Sequence, residues 1–224
     1  MTAHQAIRPR LIAILWIGSA SRNVDLHNRS DLDLQIIMDR PDREATIALS
    51  SLLQGRTDVD LSIMYRGDIF DRRGSLVFQD GTKGPFFVHV LASAVVIYGE
   101  NPYAAARSVV TLETARPSLL FTIREYLARI RVMAIQAREQ PFEFKKYSVK
   151  FFRDILMYCD QLPLAEMATT PNREVLARIA RVHAFSPVCV NLLASMTDWN
   201  SEYSTEEKMY LLGEYEQMVD SICT

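Results

Sequence analysis

Residues 11–38 read LIAILWIGSASRNVDLHNRSDLDLQIIM, which is two apolar runs separated by a polar stretch. The first run, Leu11 to Ile17, is rich in β-branched and aromatic residues and ends at Gly18 and Ser19, as is typical of a buried strand that enters a tight turn. The second run, Leu32 to Met38, stops at another polar segment. The two runs therefore predict two strands of a sheet.

The chain beyond this stretch continues with a helical pattern and further strands. Residues 42–54 place isoleucine and leucine at helical spacing, and Gly55 follows where helices often end. Residues 59–64 predict a third strand, and Phe86 to Tyr98 predict one or two more, with His89 as a hydrogen-bonded core residue. This order predicts a mixed sheet flanked by helices.

Glycine becomes rare after about residue 111, and long amphipathic patterns take over. They predict helices near residues 111–138, 142–160, 172–182, 187–196 and 205–222. We therefore predict an α+β protein with two domains, a mixed β-sheet domain over residues 1–108 and an α-helical bundle over residues 109–224.

Two carboxylates stand at the start of the second predicted strand. Side chains at i and i+2 of a strand share a face, so Asp31 and Asp33 would lie side by side while the leucines between and after them face the core. Neighbouring carboxylates repel each other unless a cation or a shared proton relieves them, and Mg²⁺ prefers such oxygen ligands. Asp60, on the third strand, is the candidate for a third metal ligand or a base, although Asp58 is close enough to take its place.

The turn after the first strand is suited to phosphate binding. A glycine at position 18 lets the backbone approach phosphate oxygens, and exposed amides together with the Ser19 hydroxyl can donate hydrogen bonds to them. Arg22 lies shortly afterwards and adds positive charge. The combination of this turn with the carboxylates predicts phosphoryl chemistry by positioning and electrostatic stabilisation.

The segments GSASRNVDLHNRSDLDLQII and VDLSI together resemble the nucleotidyltransferase superfamily typified by DNA polymerase beta, over roughly the first hundred residues. The resemblance implies catalytic and metal-binding roles for Asp31, Asp33 and Asp60, in a two-metal site for Mg²⁺. It also implies that Gly18 and Ser19 contact the nucleotide. One departure is Asn23, where the family often has glycine, although asparagine tolerates a left-handed backbone better than most residues.

A small catalytic domain followed by helices is similar to the aminoglycoside nucleotidyltransferases and the minimal nucleotidyltransferases. In those relatives a lysine of the helical half often contacts the triphosphate, which implies nucleotide-binding roles for Lys150 or Lys146, with Lys150 preferred. Some relatives with this layout form homodimers that share the cleft. One of Tyr65, Tyr98 and Tyr103 is a candidate to stack on the nucleobase, and the sequence does not choose among them.

The resemblance implies a Mg²⁺-dependent enzyme that transfers a nucleoside monophosphate from a nucleoside triphosphate to a hydroxyl of a small acceptor. That acceptor would be an aminoglycoside or another natural product, and pyrophosphate would be released. Two alternatives remain open: nucleotidylation of a protein or RNA end, as in toxin–antitoxin systems, and a nucleotide-binding module without catalysis. Pyrophosphate release separates the last alternative from the others.

Composition narrows the classes of partner. The chain has 224 residues and a net charge of -2, with no long basic run, which makes nucleic acid an unfavourable partner. Its three cysteines lack the close pairs of zinc or redox motifs. The apolar run from Leu11 to Ile17 is too short to cross a bilayer. These observations predict a cytoplasmic protein with reduced thiols and no membrane partner.

Overall fold

A computed structural model describes residues 10–17, 32–56, 59–70, 84–136, 141–167 and 169–223. Two compact units divide the chain, Met1–Val110 and Thr111–Thr224. The domain boundary after residue 108 that the sequence pattern indicates stays a prediction. In the described segments, no helix is both long and apolar enough to cross a membrane.

The first unit contains a four-stranded mixed sheet, as predicted. Its strands are β1 (Leu11–Trp16), β2 (Leu32–Met38), β3 (Val59–Tyr65) and β4 (Val95–Gly99). The spatial order is β3-β2-β1-β4, in which β1 is antiparallel to both β2 and β4, while β2 and β3 are parallel. The parallel pair requires a crossover, and the helix predicted between β2 and β3 supplies it.

That crossover helix is α1 (Arg43–Leu53). Asp42 caps its N-terminus, because the carboxylate accepts a hydrogen bond from the backbone N–H of Ala45 at 3.1 Å. This bond, and then the guanidinium of Arg10, lower the pKa of Asp42. Ala45 and Leu49 of α1 pack against Ile36 and Met38 of β2, which buries one face of the sheet.

The prediction for Phe86 to Tyr98 was wrong in its first half. Pro85–Ala92 form a helix, α3, and only Val95–Gly99 form a strand; His89 is buried, but in this helix. Pro85 is the first helical residue, where its missing N–H and fixed φ are favourable. Five of the eight residues of α3 are buried, so its sequence is apolar on most sides and lacks the amphipathic pattern that separates a helix from a strand.

Two further short helices complete the described part of the first unit, α2 (Arg66–Ile69) and α4 (Ala106–Val109). The second unit is helical, as predicted. Its α-helices are α5 (Leu112–Ile135), α6 (Pro141–Tyr158), α7 (Asn172–Val182), α8 (Pro187–Ala194) and α9 (Thr205–Cys223), with a 3-10 turn at Leu164–Glu166. Prolines 141, 171 and 187 all stand at helix starts, where proline is tolerated.

An aromatic cluster forms the centre of the helical unit. Phe151 and Phe152 of α6 lie 5.3 and 4.9 Å from Tyr215 of α9, measured between ring centroids, and all three rings are fully buried. Lys145 is also fully buried, and its ammonium donates to the carbonyls of Ser195 and Asp198. A buried cation with these acceptors ties α6 to the segment that follows α8.

Candidate functional site

The candidate site lies at the edge of the sheet where β1 ends and β2 and β3 begin. The backbone N–H of Ile17, just after β1, donates to the carbonyl of Asp33 at 2.9 Å. On the other side of β2, Asp33 is the register partner of Asp60 in β3. The structure therefore brings two of the three predicted carboxylates together, next to the point where the chain leaves β1.

Asp33 and Asp60 project from the same face of the sheet, because register partners on neighbouring strands point the same way. Adjacent strands are about 4.8 Å apart, so the two carboxylates begin from backbone positions at that spacing. Asp33 is half-buried and Asp60 is exposed. Two negative groups this close favour a bound cation.

The opposite face of the same strands is apolar. Leu34 pairs with Leu61, and Leu61 packs against the cluster formed by β2 and α1. Leu34 therefore shares the face of this cluster, while Asp33 and Asp60 project from the other face. The alternation fixes which face of the sheet carries the acidic groups.

Gln35 lies on the same face of the sheet as Asp33 and Asp60, and the sequence pattern did not mark it as a site residue. It lies two residues after Asp33 on the same face, with Leu15 of β1 and Ser62 of β3 as its register partners. The side chain is 2% exposed, and no hydrogen-bond partner for its Oε1 exists among the residues that the structure describes. The available signal was a single amide inside the otherwise apolar end of LDLQIIM.

Several predicted site residues lie outside the described residues: Gly18, Ser19, Arg22 and Asp31. The same holds for Asp58, the alternative to Asp60, and for Asn23. Within the segments that are described, no group of three or more acidic, histidine or cysteine side chains is arranged to hold a metal. The described part of the site thus consists of the carboxylate pair and its neighbours on the strands.

The two candidate phosphate-binding lysines lie on α6 in the helical unit. The ammonium of Lys150 is 5.4 Å from the ring centroid of Tyr147. Lys146 forms an ion pair with Glu143 at 3.5 Å and lies over the ring of Phe142. Lys150 is half-buried, and its contact with a triphosphate remains a prediction.

The three candidate tyrosines differ in position and exposure. Tyr65 is the last residue of β3, five residues from Asp60 and therefore about 16 Å away along the strand. Tyr103 is buried, and this burial raises the pKa of its hydroxyl. Tyr98 lies on the edge strand β4 and is 41% exposed. Its ring is the most accessible of the three for stacking.

The chain has an α+β fold with a mixed sheet, and this fold matches that of a solved nucleotidyltransferase, in line with the sequence resemblance. One solved structure that it matches is spectinomycin adenyltransferase AAD(9) from Enterococcus faecialis, with ATP and spectinomycin. The TM-score is 0.66, and the match covers 98% of this chain and 94% of that chain at 10% sequence identity. Neither a protein-family model nor a curated protein sequence matches the chain.

Proposed function

We propose that this protein is a nucleotidyltransferase that moves a nucleoside monophosphate from a nucleoside triphosphate to a hydroxyl of a small molecule and releases pyrophosphate. The observation that carries the proposal is the register pairing of Asp33 with Asp60 beside the end of β1, in the fold of an adenyltransferase. ATP is the first donor to test, and spectinomycin is the first acceptor, because the matched protein was solved with both ligands.

The residues fit a divalent cation of the Mg²⁺ class. Asp33 and Asp60 supply hard oxygen donors from neighbouring strands, and their mutual repulsion favours a cation between them. We assign the same role to Asp31, which precedes Asp33 by two residues. When bound, Mg²⁺ supplies Lewis-acid stabilisation of charge that develops on phosphoryl oxygens.

The other predicted residues act on the nucleotide itself. In the proposal, Gly18 allows close approach of the backbone to the phosphates, and the Ser19 hydroxyl and Arg22 guanidinium donate to their oxygens. Lys150 is the predicted source of further positive charge. Asp60 either holds the metal or accepts the proton that the attacking hydroxyl loses. These groups orient the triphosphate and neutralise its charge, while the acceptor supplies the nucleophile.

A pyrophosphate assay tests the proposal. The purified protein is incubated with Mg²⁺, each nucleoside triphosphate in turn, and spectinomycin, and the mass of the acceptor is then measured by mass spectrometry. We expect pyrophosphate release, and an acceptor heavier by one nucleoside monophosphate. Asp33→Asn should lower the rate by at least about 10²-fold, since a lost metal ligand removes several kcal/mol of stabilisation.

Asp39→Asn is the matched control. Asp39 is exposed and follows the far end of β2, so its substitution removes the same charge away from the carboxylate pair. Its rate should equal that of the unsubstituted protein. Pyrophosphate release that survives Asp33→Asn unchanged would overturn the proposal, as would a failure of every triphosphate to bind in the presence of Mg²⁺.

A further inference from the structure

Gln35 occupies a position where a polar side chain is unfavourable without a partner. It lies in the middle of β2, with strands on both sides, and is 2% exposed. The next residue on its face, Ile37, is fully buried. A buried amide oxygen that accepts no hydrogen bond costs about 1 to 3 kcal/mol of stability.

The neighbours of Gln35 on the sheet do not relieve this cost. Leu15, its partner on β1, is apolar and fully buried, and Ser62, its partner on β3, makes no hydrogen bond to Oε1. The next polar residue on the same face is Asp33, about 6.6 Å away along β2. An ionised carboxylate accepts hydrogen bonds and cannot donate one to an amide oxygen. Oε1 therefore faces a shortage of donors in the described part of the protein.

We propose that Gln35 is a positioning residue for the divalent cation held by Asp33 and Asp60, an inference that rests on the proposed function. Mg²⁺ keeps several hydration waters when it binds to proteins, and water is the donor that Oε1 lacks. With the cation present, Oε1 accepts a hydrogen bond from this hydration layer. Such a bond would help to hold the hydrated cation beside Asp33 and Asp60.

Some side chains contact a metal only through its bound waters or its ligands. Substituting such a side chain typically weakens metal binding by about 10- to 100-fold. An apolar residue of similar size would fill this position without the free-energy cost of a buried amide oxygen. A role in cation binding accounts for the amide that is present. Stability is reduced in the metal-free state, and the loss is recovered when the cation binds.

The experiment compares three variants by Mn²⁺ binding and by unfolding in EDTA. Electron paramagnetic resonance measures the Kd for Mn²⁺, alone and with a non-hydrolysable ATP analogue. Gln35→Met keeps the size of the side chain but removes the acceptor, and we expect its Kd to rise about 10- to 100-fold. Its metal-free form should unfold at a higher denaturant concentration than the unsubstituted protein.

Gln35→Glu retains an acceptor oxygen and should bind Mn²⁺ at least as tightly as the unsubstituted protein. Ser62→Ala is the matched control, because it removes the neighbouring polar group on β3 and should leave the Kd unchanged. A Gln35→Met variant with an unchanged Kd overturns this inference and leaves the proposed function standing. An unsubstituted protein that binds no Mn²⁺ under either condition overturns the proposed function as well.

Discussion

Replacing Asp60 with asparagine tests the carboxylate pair directly, because the substitution removes one charge and preserves the size of the side chain. The pair begins from register partners on strands about 4.8 Å apart. At that distance two like charges repel by about 1 kcal/mol in a water-like dielectric. Since Asp60 is exposed, this water-like value applies, and salt reduces it further. Without divalent cations, Asp60→Asn should therefore be more stable by up to about 1 kcal/mol.

The expected effect of Mg²⁺ has the opposite sign. For a Kd of about 1 mM, addition of about 10 mM Mg²⁺ stabilises the unsubstituted protein by RT ln(1 + [L]/Kd), which is about 1.4 kcal/mol. Asp60→Asn should lose most of this gain, because one of the two described carboxylates of the site is gone. Chemical denaturation at low ionic strength, in EDTA and then in Mg²⁺, measures both quantities.

Asp39→Asn again serves as the control, and neither quantity should change in it beyond experimental error. Two results would refute the reasoning. One is an Asp60→Asn variant that is less stable than the unsubstituted protein in EDTA, since the charges would then not repel. The other is equal stabilisation of both proteins by Mg²⁺, since Asp60 would then not contribute to the cation site.

Two further predictions concern stability. Gly99→Ala should destabilise the protein by about 3 kcal/mol or more, because Gly99 has φ +72° and an added Cβ would overlap a backbone carbonyl of β1. Gly55→Ala, with φ +80° but open space around it, should lose only about 1 kcal/mol, and equal losses on urea denaturation would contradict this account. Burial raises the pKa of Cys189 to about 12 and that of Tyr203 to about 12, so the native state keeps protons that the unfolded chain releases above pH 9 to 10. The free energy of unfolding should therefore fall between about pH 9 and 12, by on the order of 2 to 4 kcal/mol for each group, and a flat profile in that range would refute the burial argument.

Much of the sheet follows from the sequence, because the strands carry strong local signals. Both bounds of β2, Leu32 and Met38, match the predicted apolar run, since polar residues flank it on both sides. The register between Asp33 and Asp60 was beyond sequence reasoning. It depends on how β2 and β3 slide against each other, and no local pattern encodes that offset.

The helix α3 and the burial of Gln35 both depend on what packs around a segment, and the local sequence pattern does not contain that information. The strand predicted from Phe86 onward is in fact the helix Pro85–Ala92, because a segment that is buried on most sides shows no period. Gln35 was overlooked because an amide in a strand usually points to solvent, and only the packing of β1 and β3 on either side shows that it is buried.

The parallel pairing of β2 with β3 also determines how the alignment of Asp33 with Asp60 could be disrupted. A shift of β3 by one residue would turn Asp60 to the face covered by α1 and bring Leu61 opposite Asp33. The contacts of Ala45 and Leu49 with β2 prevent this slip by filling the α1 face with apolar groups. The alignment of Asp33 with Asp60 is thus maintained by apolar side chains on a helix that carries neither carboxylate, and a substitution in α1 would misalign the pair without replacing either acid.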